Sequence, residues 1–118
     1  MKKGINGVRD AIDYLKNNCS IALMIDQRVS EGEKIELFGK PAYTTTLPAQ
    51  LAIKYNLSII PVFIERVNNE NFKIEFMNEI NSQNFKDKVD LTKKLNLTLE
   101  KMILKNPNQW IWTHDRWK

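Results

Sequence analysis

The stretch SIALMIDQ, residues 20–27, decides how the rest of the chain is read. Ser20-Ile21-Ala22-Leu23-Met24-Ile25 is short, apolar and continuous, and it stops at an acid and an amide, Asp26-Gln27. Continuous hydrophobicity is the mark of a strand covered on both faces, as in a parallel sheet. Residues 26–43 then read as a connecting loop through Gly32, Gly39 and Pro41. Thr44, Thr45 and Thr46 are candidate caps for a helix that takes Pro48 in its first turn and turns Leu47, Leu51, Ala52 and Tyr55 inward. Ile59-Ile60-Pro61-Val62-Phe63-Ile64 follows as a second apolar strand, with Pro61 at a start, an edge or a bulge. Strand, helix and strand in this order predict a right-handed βαβ crossover with parallel strands.

Outward from that unit, Val8, Ala11, Ile12 and Leu15 recur at helical spacing between residues 6 and 17, with Gly4 and Gly7 loosening the entry. Phe72, Ile74 and Phe76 alternate with Lys73 and Glu75, which predicts a half-buried strand. Leu91, Leu95, Leu99, Met102 and Ile103 mark one face of an amphipathic helix over residues 88–105, ended by Asn106-Pro107. The expected class is α/β, with a βαβ core and a mixed sheet. At 118 residues the chain is expected to form a single domain.

Composition narrows the functions without naming one. A net charge of +4 suits an anionic partner such as a membrane surface, a phosphorylated lipid or nucleic acid. The basic residues alternate with acids, as in Lys86-Asp87-Lys88, and no nucleic-acid recognition motif is present. One cysteine excludes an internal disulfide, and Cys19 is expected to be a buried small hydrophobe. With His114 the only histidine, a zinc site of the usual kind is excluded as well. No metal or cofactor is expected, and no apolar run approaches the length of a membrane span.

In an open α/β sheet, ligands gather beyond the carboxyl ends of the strands. Asp26-Gln27-Arg28 lies at one such end and Glu65-Arg66 at the next, so Asp26 and Arg66 are expected on one rim. There Asp26 either orients a catalytic base or pairs with Arg66 to seal the sheet, and Arg66 is suited to hold a phosphate bidentately. Leu37-Phe38-Gly39 places bulky groups beside a hinge, where they either line an apolar pocket or cover the sheet. Trp110, Trp112 and Trp117 suit base stacking, a membrane interface or simple docking of the tail, and docking is the default.

The order of several short motifs adds a resemblance. Val8-Arg9, Met24-Ile25-Asp26-Gln27, Glu31-Gly32, Leu37-Phe38-Gly39-Lys40-Pro41-Ala42, Thr44-Thr45, Pro61-Val62 with Arg66, Leu99-Glu100 and the closing run Pro107 to Lys118 are arranged along nearly the whole chain. Together they resemble the C-terminal part of the lipid A biosynthesis acyltransferases, the lauroyl/myristoyl transferase family. The resemblance implies a glycerolipid-acyltransferase-like fold, incomplete at its N-terminus, at the cytoplasmic face of the bacterial inner membrane. It implies transfer of a fatty acyl group from acyl carrier protein to a hydroxyl of a phosphorylated lipid A precursor, in lipopolysaccharide synthesis. In that family a histidine of a His-x-x-x-x-Asp/Glu motif deprotonates the acceptor. No histidine precedes Asp26 here, and His114 has no acid four or five residues onward, so the base is expected upstream and no catalytic residue is assigned within these residues. Arg9, Asp26, Gln27 and Arg66 carry over as residues that bind substrate, with Asp26 in a supporting role as well. Asp115 stands where the family's tail has a basic residue, which argues against phosphate binding at that end. The alternative is a non-enzymatic remnant that binds lipid or anions at the membrane surface.

Overall fold

A computed structural model describes residues 5–118, with side chains from Gly7 onward. It contains three α-helices and six short strands: α1 (Ile5–Lys16), β1 (Glu33–Leu37), β2 (Lys40–Thr44), α2 (Leu47–Tyr55), β3 (Ser58–Ile59), β4 (Val62–Arg66), β5 (Phe72–Phe76), β6 (Ile80–Asn81) and α3 (Lys88–Lys105). The strands form three two-stranded antiparallel sheets, β1 with β2, β3 with β6 and β4 with β5. The result is a small mixed α/β arrangement. Gly4 lies outside the described residues.

The expected parallel βαβ core and mixed sheet are therefore corrected. Residues 20–25 belong to no helix or strand and make no ladder with any described strand. Their hydrophobicity was continuous, yet burial alternates: Ile21, Leu23 and Ile25 are half-buried while Ala22 and Met24 are exposed. Pro61 splits the second apolar run into β3 and β4, because its missing N–H leaves a gap in any ladder. The two pieces then pair with different partners. Cys19, expected inside, is exposed.

Residues 26–43, expected to be a loop, hold most of the β1–β2 hairpin. Ile35 and Leu37 point inward between exposed Lys34 and Glu36, the alternation of a half-buried strand. Phe38 and Gly39 form the two-residue connection, and both have positive φ (52° and 70°), as a type I′ hairpin turn requires. A Cβ at Gly39 would meet nothing within 4 Å, so Gly39→Ala isolates the backbone cost. That variant is expected to lose about 1 kcal/mol, read as a lower urea midpoint with an unchanged slope.

Helix α3 is the spine. Asp87 caps it, accepting hydrogen bonds from the Val89 and Asp90 amides at 2.8 and 2.9 Å. These bonds hold the Asp87 carboxyl below its ordinary value. Leu91 and Leu95 pack with Ala49, Ala52 and Ile80 in one core cluster, and Leu99 and Ile103 pack with Leu37 and Ala42 in a second. Ile25 touches both clusters, so the end of this unpaired segment bridges the two halves of the core. The expected bounds of α3 and of β5 match the structure, and the second helix, expected to begin among Thr44, Thr45 and Thr46, begins at Leu47 with Thr46 in the cap position.

The β4–β5 hairpin is amphipathic in an unexpected sense. Its face toward α3 is largely charged: Glu75 pairs with Lys105 at 2.8 Å and Glu65 accepts from Asn106 at 3.1 Å. Val62, Ile64, Phe72, Ile74 and Phe76 lie on the opposite face and are between 42% and 74% exposed. The alternation was legible in the sequence, but the apolar side faces solvent.

Candidate functional site

The segment after Ile25 is held by the tail of the chain. Arg116 is fully buried and donates from Nη1 to the carbonyl of Ile25 and from Nη2 to the Thr44 hydroxyl, both at 3.0 Å. The Asn96 amide donates to the Glu36 carbonyl at 2.8 Å and approaches the same hydroxyl at 3.4 Å. Thr44 therefore joins α3, β2 and the tail, whereas its neighbours have helix-start roles. Thr45 accepts from the Leu47 amide at 3.3 Å and Thr46 from the Gln50 side chain at 2.8 Å. Burial pulls the Arg116 guanidinium below its ordinary value, and the charge of Asp26 pushes it back up. Asp26 thus acts on Arg116 through its field, without a close ion pair among the described residues.

Beyond Asp26-Gln27 the backbone amide of Arg28 donates to His114 Nε2 at 2.9 Å. The Arg28 Nε donates to the Lys118 carbonyl at 2.6 Å, and its guanidinium lies 5.4 Å from the centroid of the Tyr43 ring. A ring nitrogen that accepts from an amide is occupied, and no described acid bonds to the other one. His114 is a structural acceptor here. The tryptophans dock as the default reading expected: Trp110 and Trp117 pack on the second core cluster, and Trp117 Nε1 donates to the Leu37 carbonyl at 3.2 Å. Trp112 remains half exposed, edge-on to Trp110 at 4.6 Å.

Arg66 belongs to a different neighbourhood. At the end of β4, its backbone N–H and carbonyl are both bonded to the Gln109 side chain, at 2.8 and 2.7 Å. Its guanidinium sits 5.1 Å from the Phe72 ring centroid. Ile64, Arg66, Phe72 and Gln109 line an open cleft of about 340 Å³. No ion pair or hydrogen bond joins Asp26 to Arg66 among the described residues: Asp26 acts on Arg116, and Arg66 is held by Gln109. A shared rim requires neighbouring parallel strands, and residues 20–25 and β4 do not pair. Arg9 is exposed on α1, with no ion pair among the described residues. Leu37-Phe38-Gly39 is a hairpin tip whose Leu37 is fully buried and whose Phe38 amide donates to Glu100 at 2.6 Å.

Sequence reasoning missed Arg116 as a buried anchor. The available signal was a lone arginine between tryptophans in a segment already expected to dock. No group of described His, Cys, Asp or Glu side chains has metal-binding geometry, and no described helix is long and apolar enough to cross a membrane.

Against known proteins, residues 1–118, the whole chain, match the model of a family described as bacterial lipid A biosynthesis acyltransferase. No individual curated protein matches the sequence.

Proposed function

Since the chain belongs to the bacterial lipid A biosynthesis acyltransferase family, we propose that it is the C-terminal portion of such an enzyme's catalytic domain, inactive by itself. The acyl donor is an acyl carrier protein thioester, and the acceptor is a hydroxyl of a phosphorylated lipid A precursor at the cytoplasmic face of the inner membrane. The full domain takes a glycerolipid-acyltransferase-like fold. A histidine outside these residues removes the hydroxyl proton, the oxygen attacks the thioester carbonyl, and the carrier thiol leaves. The observation that carries this reading is the family match over residues 1–118, in a sequence whose one histidine is engaged by the Arg28 amide.

Within these residues the work is binding. The cleft at Arg66 combines a cation with apolar walls from Ile64 and Phe72, the pairing that a phosphorylated lipid calls for. Arg9 adds a second exposed cation, and Asp26-Gln27 supplies polar contacts to the substrate away from that cleft, where the Asp26 charge acts on Arg116. Acyl transfer from acyl carrier protein to a lipid A precursor tests the reading directly. The isolated chain is expected to show none. A form extended upstream through a His-x-x-x-x-Asp/Glu motif is expected to be active, with Arg66→Gln lowering kcat/KM roughly tenfold or more through loss of a charged contact. An inactive extended form would defeat the enzymatic reading.

A further inference from the structure

The ladder of β4–β5 fixes which backbone groups of β4 point outward. Met77 donates to the Pro61 carbonyl and Val67 to the Asn71 carbonyl, both at 2.9 Å, so the odd-numbered residues of β4 exchange hydrogen bonds with β5. Val62, Ile64 and Arg66 therefore turn their N–H and C=O groups away from β5, along the edge where no described strand pairs. Among the described hydrogen bonds, Arg66 alone of the three has these groups taken, and both go to one side chain. Gln109 Oε1 accepts from the Arg66 N–H at 2.8 Å, and Gln109 Nε2 donates to the Arg66 carbonyl at 2.7 Å. A primary amide carries the same donor and acceptor as a peptide group, so Gln109 takes the place of a neighbouring strand at this single residue. The residue so held is the one whose charge lines the cleft. Its guanidinium has no ion pair and no hydrogen bond among the described residues, and it rests 5.1 Å from the ring centroid of Phe72, its partner across the ladder. The N–H donors of Arg66 are thus left for a ligand.

Resting on the reading that this cleft takes the phosphate of a lipid, we propose that Gln109 is the positioning residue for Arg66. Bonded at both main-chain groups, the end of β4 is kept from fraying, so the guanidinium meets an anionic headgroup in one orientation. Gln109 acts through the Arg66 backbone rather than on the phosphate. The tail of the chain thereby sets the affinity of a cleft built mainly on a hairpin. Two other contacts fasten the same hairpin, Glu75 with Lys105 and Glu65 with Asn106, and both lie on its opposite face. Loss of the Asn106 contact loosens the docking of the hairpin without releasing the main chain of Arg66.

The test is an NMR titration of the whole chain with dihexanoyl phosphatidic acid and, separately, with inorganic phosphate. Gln109→Met keeps the length of an exposed side chain and removes both bonds. It is expected to weaken phosphatidic acid binding about fivefold in the parent, and less than about twofold when Arg66 is already glutamine. The urea midpoint is expected to fall by the same amount in both backgrounds, because the main-chain bonds do not involve the guanidinium. Asn106→Ala, which removes the bond to Glu65, is expected to leave binding within about twofold of the parent. Binding unchanged by Gln109→Met, but weakened by Arg66→Gln, overturns the positioning role and leaves the cleft as a lipid site. An equal loss with and without Arg66 also overturns it, because Gln109 then touches the ligand itself. So does an equal loss on Asn106→Ala, which assigns the effect to docking of the hairpin as a whole. A parent chain that binds neither probe removes the cleft reading and the positioning role together. Inorganic phosphate bound as tightly as phosphatidic acid, with the same dependence on Gln109, keeps the positioning role and assigns the cleft to the free anion.

Discussion

Replacing Arg116 with alanine is expected to destabilise the fold by about 3 kcal/mol, measured as a shift in the urea midpoint. Two hydrogen bonds from a charged donor are lost, leaving the half-buried Ile25 carbonyl without that donor and the buried Thr44 hydroxyl with only the longer Asn96 contact at 3.4 Å. Part of that loss is offset. A cation no longer has to be kept from water, and its Nε is already buried without a partner. Arg116→Met separates the contributions, because it keeps most of the stem and removes the charge. It is expected to fall between the parent and Arg116→Ala. A methionine variant more stable than the parent would show that the guanidinium is a net cost, held for a purpose other than stability. In either variant, faster hydrogen exchange is expected around Ile25, which bridges the two core clusters.

Gly32→Ala is expected to cost roughly 2–3 kcal/mol, more than Gly39→Ala despite its ordinary backbone. A Cβ at Gly32 would lie 2.7 Å from the Thr44 carbonyl oxygen and 2.8 Å from the Thr44 nitrogen. Those are backbone atoms at the end of β2, and they cannot rotate away as a side-chain tip would. Thr44 is also the meeting point of Arg116 and Asn96, so displacing it disturbs the polar network as well as the hairpin. Thermal unfolding of the two glycine variants side by side checks the order. If Gly39→Ala proved the more damaging, turn conformation rather than close approach would govern the hairpin.

What could be read from the sequence follows from where the physics is local. The extent of α3 was legible because an apolar stripe, an Asp at the start and Asn-Pro at the end all agree. The β1–β2 hairpin was hidden because Phe38 occupies a left-handed position usually given to asparagine or glycine. Its alternation over Ile35 and Leu37 was the better signal. The parallel core was inferred from two continuous apolar runs, but continuity does not say which strand lies alongside. In this structure one run finds no described partner and Pro61 divides the other. The binding residues fared accordingly. Asp26 was expected beside Arg66 and instead feels Arg116, a residue ninety positions later whose burial no local pattern announces. Arg66 was singled out correctly as lying at a strand end, and its cleft depends on Gln109, which sequence spacing does not connect to it.

The clamp at Arg116 also has a consequence in time. Its two bonds span separations of 91 and 72 residues, so the segment that fastens Ile25 and Thr44 is synthesised after everything it fastens. Closing loops of that length is slow, and contacts that depend on them form late. Until the tail leaves the ribosome, the apolar run from Ile21 to Ile25 and the β1–β2 hairpin are translated but unanchored, which is the interval in which this chain most needs a chaperone.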